Sequence, residues 1–78
     1  MNAIATQNDI VTITLNGEAQ QLPFASTVPD LLRHIQIDPT QTGIAVALND
    51  TVVRRADWHH TDITSGDVVE VITATQGG

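Results

Sequence analysis

Cysteine and lysine are both absent from these 78 residues, and each absence closes a class of chemistry. Without cysteine there is no disulfide, no thiolate metal site and no thiol nucleophile. The same absence fits a reducing compartment, so a cytoplasmic location is expected. Without lysine the chain lacks the usual acceptor for chain-building isopeptide bonds. Long apolar runs are missing as well, and none approaches the roughly 20 residues of a membrane span. Residues 1–9 contain neither the basic n-region nor the apolar h-region of a secretory signal and read as a short, flexible polar arm. Positive charge is scarce: Arg33, Arg54 and Arg55 face nine carboxylates, for a formal charge of −6. That balance argues against nucleic acid or an anionic membrane as partner. It favours a basic docking surface.

What is present reads as one small domain, long enough to fold without staples. Ile10-Val11-Thr12-Ile13-Thr14-Leu15 alternates and is β-branched, which predicts a strand burying Val11, Ile13 and Leu15. Asn16-Gly17 follows, the strongest short hairpin signal because both residues accept positive φ. A second strand is expected from about Glu18 to Phe24, and Pro23 assigns it to a sheet edge. Thr27-Val28-Pro29-Asp30 then opens a helix, with Thr27 as N-cap, Pro29 in the first turn and Asp30 at the favourable dipole end. Val28, Leu31, Leu32 and Ile35 form its single buried stripe, and Asp38-Pro39 prevents much continuation.

Ile44-Ala45-Val46-Ala47-Leu48 predicts a strand with its larger residues on one face and alanines on the other. Asn49-Asp50 turns the chain into a short strand over Thr51–Arg54. Residues 55–63 read as irregular, with a brief helical turn around Ala56–His59. After the Ser65-Gly66-Asp67 turn, Val68–Thr73 is the last strand, pointing Val69 and Val71 inward and leaving Val68, Glu70 and Ile72 outward. Its Val and Ile content suits a central position. The order β-β-α-β-β-β with one helix predicts an α+β fold, a mixed sheet of four to five strands packed on that helix. Val11, Ile13, Leu15, Leu31, Leu32, Ile35, Val46, Leu48, Val69 and Val71 are expected to make one core. The expected division is a 1–9 arm, a 10–73 domain and a flexible 74–78 tail.

The chain finishes on Gly77-Gly78. A terminal glycine carboxylate has no Cβ beside its carbonyl, so it can pass a channel too narrow for any other residue and be attacked with little hindrance. Thr73 to Gly78 could reach roughly 20 Å if extended, at about 3.3–3.6 Å per residue. Such a tail can enter a neighbour's active site, with Thr75, Gln76 and Gly77 threading and Gly78 at the tip. On the terminus alone, a frayed end that merely finishes on two glycines is an equal reading. The faces left over after core assignment add a docking expectation: Ile72, Ala45 and Ala47 lie opposite the helix, near the root of this tail.

These segments together resemble the ubiquitin-like β-grasp proteins and, within them, the small prokaryotic sulfur carriers of thiamine thiazole biosynthesis. The matching residues are Ile13–Gly17, Thr27–Leu32, Gly43–Asn49, Val52-Val53 with Arg55 and Trp58, and above all the run from Gly66 to Gly78. The family often carries proline where this chain has Arg54, and the Met1–Gln7 arm extends beyond the resemblance. The resemblance implies a cycle in which an E1-like enzyme adenylates Gly78 with ATP and a persulfide on a partner supplies sulfur. Gly78 becomes a thiocarboxylate, which thiazole synthase consumes. The chain would then be a protein co-substrate and no enzyme, monomeric when free, with no bound cofactor or metal and no catalytic residue of its own. Having no cysteine, it could not hold the sulfur as a persulfide itself.

Other constellations are weaker. His34, His59 and His60 show no Glu-x-x-His or His-x-x-x-His spacing and read as exposed loop histidines. Trp58 reads as a satellite core anchor beneath the 55–63 loop. Arg54 and Arg55 read as rim charges, and Asp62, Asp67 and Glu70 as a solvated face. Ser26 and Ser65 lack any His–Asp context. Two alternative functions keep the same terminus: the small subunit of a molybdopterin synthase, and a ubiquitin-like modifier joined through Gly78 to target lysines. The Thr73-Ala74-Thr75-Gln76 run lacks the bulky apolar residues associated with the former.

Overall fold

The computed structural model describes residues 10–23 and 26–74. The 1–9 arm, Phe24 at the expected end of the second strand, and Thr75, Gln76, Gly77 and Gly78 lie outside the described residues.

Strand β1 (Val11–Leu15) pairs antiparallel with β2 (Glu18–Leu22), Leu15 facing Glu18 across the two-residue turn. Asn16 and Gly17 take φ of 51° and 86°. Positive φ at both positions is what a turn matching the strands' right-handed twist requires. The second strand stops at Leu22, before Pro23, which has no N–H to give to a ladder.

A two-residue strand β3 (Ser26–Thr27) leads into helix α1 (Val28–His34). Asp30 reaches back to accept from the Thr27 N–H (3.4 Å) and the Thr27 hydroxyl (3.2 Å), so the first turn is capped as its sequence suggests. The helix ends before Asp38-Pro39. Gln36 adopts φ 68°, its N–H donates to the Arg33 carbonyl (3.0 Å), and the Ile37 N–H donates to the Leu32 carbonyl (2.8 Å). Those two bonds satisfy carbonyls that the last turn would otherwise leave open, with Gln36 in the position glycine usually takes.

Strands β4 (Ile44–Leu48) and β5 (Thr51–Val53) form a second hairpin whose turn, Asn49-Asp50, again has positive φ at both residues (51° and 72°). A 3₁₀ segment (Arg55–His60), strand β6 (Asp62–Ile63) and strand β7 (Val68–Thr73) complete the chain. The main sheet runs β2-β1-β7-β4-β5, with β7 parallel to β1 and antiparallel to β4. The last strand is therefore central and β2 is an edge, as their residues predict. The β3–β6 pair makes a second, two-stranded sheet that two-residue segments could not announce.

The helix and sheet enclose Val11, Ile13, Leu22, Val28, Leu31, Leu32, Val46, Trp58, Ile63, Val69 and Val71. Leu15, Ile35 and Leu48, expected inside, are half-buried at the rim: Leu15 and Leu48 end their strands and Ile35 caps the helix just past its end. Trp58 belongs to the main core and not to a satellite: it is 3% exposed, and its indole N–H donates to the Val53 carbonyl at 3.0 Å. The Arg55 guanidinium lies 4.3 Å over its ring and donates to the carbonyls of Pro39 and Gln41. Arg55 is thus a latch between the 3₁₀ segment and the loop before β4, where the sequence suggested a rim charge. Arg54, which caps that segment, is exposed and pairs loosely with Asp57 at 3.5 Å.

Candidate functional site

The C-terminal tail starts from a strand held on both sides. Toward β4, the ladder runs from Leu48–Val69 to Ile44–Thr73, and the Ala74 N–H adds one more bond, to the Gly43 carbonyl at 2.7 Å. Toward β1, the pairing ends at Leu15–Val69 because the chain turns away at Asn16-Gly17. There the Asn16 side chain stands in for the missing strand. Its Oδ1 accepts from the Val71 N–H (2.9 Å) and its Nδ2 donates to the Val71 carbonyl (3.2 Å). A carboxamide presents one acceptor and one donor with the spacing of a peptide group, so both Val71 backbone groups stay satisfied past the end of β1.

Gly43 sets how closely this root can pack. It has φ 81°, and a Cβ built on it would lie 3.3 Å from the Ala74 Cβ. An L-residue there would meet both its own backbone and the tail root. Neither Asn16 nor Gly43 is identifiable as a tail-root residue from sequence, since both roles depend on which distant segments adjoin. Thr75, Gln76, Gly77 and Gly78, the expected threading and chemical residues, follow this root and lie outside the described residues.

The three expected docking residues are neighbours. Ile72 is 63% exposed and stands directly opposite Ala45, while Ala47 stands opposite Glu70 two pairs along. Val52, 72% exposed, faces Ala47 from β5, and Val68 lies on the same side of β7. Val52 was not assigned a face from sequence, because three residues of strand carry too little alternation. The result is an apolar patch on the sheet face opposite α1, contiguous with the tail root.

The remaining candidates are structural. Asp67 is more than a solvated surface charge: it accepts from the Thr64 N–H (2.8 Å) and from the Asn49 side chain (3.0 Å), closing the turn before β7. Asn49 in turn accepts from the Val68 N–H at 2.8 Å. His34, His59 and His60 are exposed, and the described residues contain no group of three side chains able to hold a metal. A recess of about 330 Å³ lies between α1 and the 3₁₀ segment, lined by Arg33, Arg55 and Trp58 among others. Its cations are in internal use, Arg55 on two carbonyls and Arg33 on Asp30 at 3.1 Å. Asp38 titrates below the usual carboxylate range, chiefly because the Thr40 hydroxyl (2.7 Å) and then the Thr40 N–H (2.9 Å) donate to it. No described helix is long and apolar enough to cross a membrane.

Comparison with known proteins agrees with this arrangement. The model of the ThiS family matches residues 13–78. The chain is 33% identical over 66 residues to the sulfur carrier protein ThiS of Escherichia coli (strain K12), a stretch that is 85% of this chain and 97% of the relative. The crystal structure of the thiamine biosynthesis protein ThiS from Geobacter metallireducens superposes with a TM-score of 0.71 at 27% identity, over 87% of this chain and 100% of that one. A solution NMR structure of a thiamine biosynthesis protein from the same organism gives 0.74 at 26% identity, over 87% and 88% of the two chains. The fold is the ubiquitin-like β-grasp.

Proposed function

The chain belongs to the ThiS family of sulfur carriers, and on that premise we propose that it carries sulfur on the Gly78 α-carboxylate for the thiazole ring of thiamine. One observation supports this above the others: the family match runs through residue 78, so the diglycine lies inside it. A carboxylate is a poor electrophile until one oxygen becomes a leaving group. An E1-like enzyme supplies the activation. The Gly78 carboxylate attacks the α-phosphorus of ATP, pyrophosphate leaves, and an acyl adenylate forms. The terminal sulfur of a donor persulfide attacks the acyl carbon and expels AMP. A thiol then attacks the resulting acyl disulfide at the donor's sulfur, which releases the Gly78 thiocarboxylate and leaves a disulfide on the donor side. Thiazole synthase consumes the sulfur and returns the carboxylate.

In this reading the chain is a recycled co-substrate of the cytoplasm, monomeric when free, that binds no cofactor; ATP belongs to its partner. Residues 10–73 act as the handle, and residues 74–78 act as the working tail. Thr75, Gln76 and Gly77 thread the partner's channel. The fixed root at Ala74 supports a short reach: four further residues span at most about 13–14 Å. A partner must therefore seat the domain itself close to its nucleotide, and Ile72, Ala45 and Ala47 form the docking surface that does so. In-line approach at the nucleotide leaves little room for a side chain, which favours glycine at both terminal positions.

Deleting Gly78, or adding one residue after it, tests the reading. Either change should abolish adenylate formation by the E1-like enzyme while the circular dichroism spectrum stays that of the folded domain. Ile72→Asp should weaken binding to the same enzyme with the fold intact. A Gly78 deletion that still supports thiazole formation would end the proposal, and unchanged affinity of the Ile72 variant would remove that residue from the interface.

A further inference from the structure

The outer face of the main sheet carries a single charge, and that charge sits in its middle. Along β7 the outward residues are Val68, Glu70 and Ile72. Ala45 pairs with Ile72, Ala47 with Glu70, and Val52 with Ala47. On the other side of β7 the outward positions of β1 are Thr12 and Thr14, backed by Gln21 and Ala19 of β2. Among the strand residues of this face, Glu70 is the only ionisable group.

No described residue neutralises it. Every basic side chain of the chain lies in α1 or in the 3₁₀ segment with its N-cap: Arg33, His34, Arg54, Arg55, His59 and His60. The ion pairs among the described residues are Arg33–Asp30 and Arg54–Asp57, and the Glu70 carboxylate has no hydrogen-bond or ionic partner among them. In the free protein this is harmless, because Glu70 is exposed and hydrated. Docking changes that. A surface that covers Ile72, Val68 and Val52 must cover Glu70 as well, since they flank it along the strand and across Ala47. A carboxylate taken out of water without a partner is strongly disfavoured, whereas one met by a cation with good geometry is not.

We propose that Glu70 determines which partner this face accepts, and that the docking surface of the activating enzyme has an apolar floor with one arginine or lysine facing Glu70. Arginine suits the position better, being weakly hydrated and able to grip both carboxylate oxygens. Ile72 lies two steps along the strand from Glu70, so the cation stands about 6.5–7 Å from the pocket that receives Ile72. The cation is therefore central to the contact, not on its rim. An acidic or uniformly apolar surface is rejected because it would leave the carboxylate unpaired. This inference rests on the sulfur-carrier reading, which supplies the partner.

The test uses the full chain and the source organism's own E1-like adenylating enzyme, purified. Affinities of wild type, Glu70→Gln, Glu70→Thr and Glu70→Lys are measured by calorimetry across a range of salt, beside unfolding curves of each isolated protein. Unfolding midpoints should move little, because the carboxylate has no hydrogen-bond or ionic partner among the described residues. Glu70→Gln and Glu70→Thr should bind roughly 10-fold more weakly or worse, and Glu70→Lys on the order of 30-fold or more. The KM for adenylation should rise in step while kcat stays constant, and reversing the facing cation of the enzyme to glutamate should restore Glu70→Lys. Affinities within twofold of wild type for all three variants, with Gly78 of wild type adenylated normally, would overturn the inference and leave the carrier reading standing. Failure of the wild type itself to be adenylated at Gly78 would overturn both.

Discussion

Gly43→Ala perturbs the root of the tail without changing any tail residue. Gly43 has φ 81°, where an L-residue is disfavoured by roughly 1–2 kcal/mol. The new Cβ would also stand 3.3 Å from the Ala74 Cβ, inside the comfortable carbon separation of about 3.5–4.0 Å. Either the loop before β4 yields or the end of β7 does. The loop is pinned, since Arg55 donates to both Pro39 and Gln41 and stacks on the buried Trp58. Ala74 is exposed and held there by one bond to Gly43. Such a bond contributes a net of about 0.5–1.5 kcal/mol, no more than the strain set against it. Ala74 should therefore let go. The expected result is a global destabilisation of about 1 kcal/mol, lowering the unfolding midpoint by about 4–8 °C. Amide exchange should show lost protection at Ala74, with Val69 and Val71 falling only as far as global stability falls. Adding Ala74→Gly removes the Cβ–Cβ contact and should return part of the Ala74 protection. Unchanged Ala74 exchange in Gly43→Ala would refute the reasoning and place the strain in the loop.

Three further outcomes follow from packing, backbone and charge. Leu32 is fully buried beneath the sheet, so Leu32→Ala should destabilise by about 2–5 kcal/mol in urea titrations, a large share of a small domain's stability. Arg54 already sits at φ −68°, the angle proline fixes, and its weak surface pair with Asp57 contributes little. Arg54→Pro should accordingly raise stability by about 0.4–1 kcal/mol, and a loss instead would show that its N–H is needed. Asp38, its pKa lowered by the Thr40 hydroxyl and N–H, contributes stability present above the ordinary carboxylate pKa of about 3.9 and lost as pH falls through its own lower value. Thr40→Val removes the hydroxyl donor, and an NMR titration should then find the Asp38 pKa moved up.

The elements that sequence revealed are those with local signals. Asn16-Gly17 and Asn49-Asp50 both form turns with positive φ, and the alternation of β1, β4 and β7 sets their inner faces without reference to any other segment. Thr27 and Asp30 likewise interact across three residues, which a reader of the sequence can anticipate. The β3–β6 pair could not be seen, because two residues have no period and Ser26–Thr27 meets Asp62–Ile63 only through the tertiary fold. Ile63 enters the core by that route. Leu22 was likewise hidden, ending a polar strand whose burial follows from its pairing with Val11. At the candidate site, Ile72, Ala45 and Ala47 were legible as the complement of the buried faces. Asn16 at Val71, Gly43 at Ala74 and the isolation of Glu70 were not, because each depends on neighbours more than 20 residues away.

The sulfur itself is the decisive observable. Incubation of the full chain with the E1-like enzyme, ATP and a persulfide donor, followed by tandem mass spectrometry, should show one oxygen exchanged for one sulfur on the Gly78 carboxyl group and nowhere else. An unmodified Gly78, or sulfur located at any other residue, would contradict the carrier function.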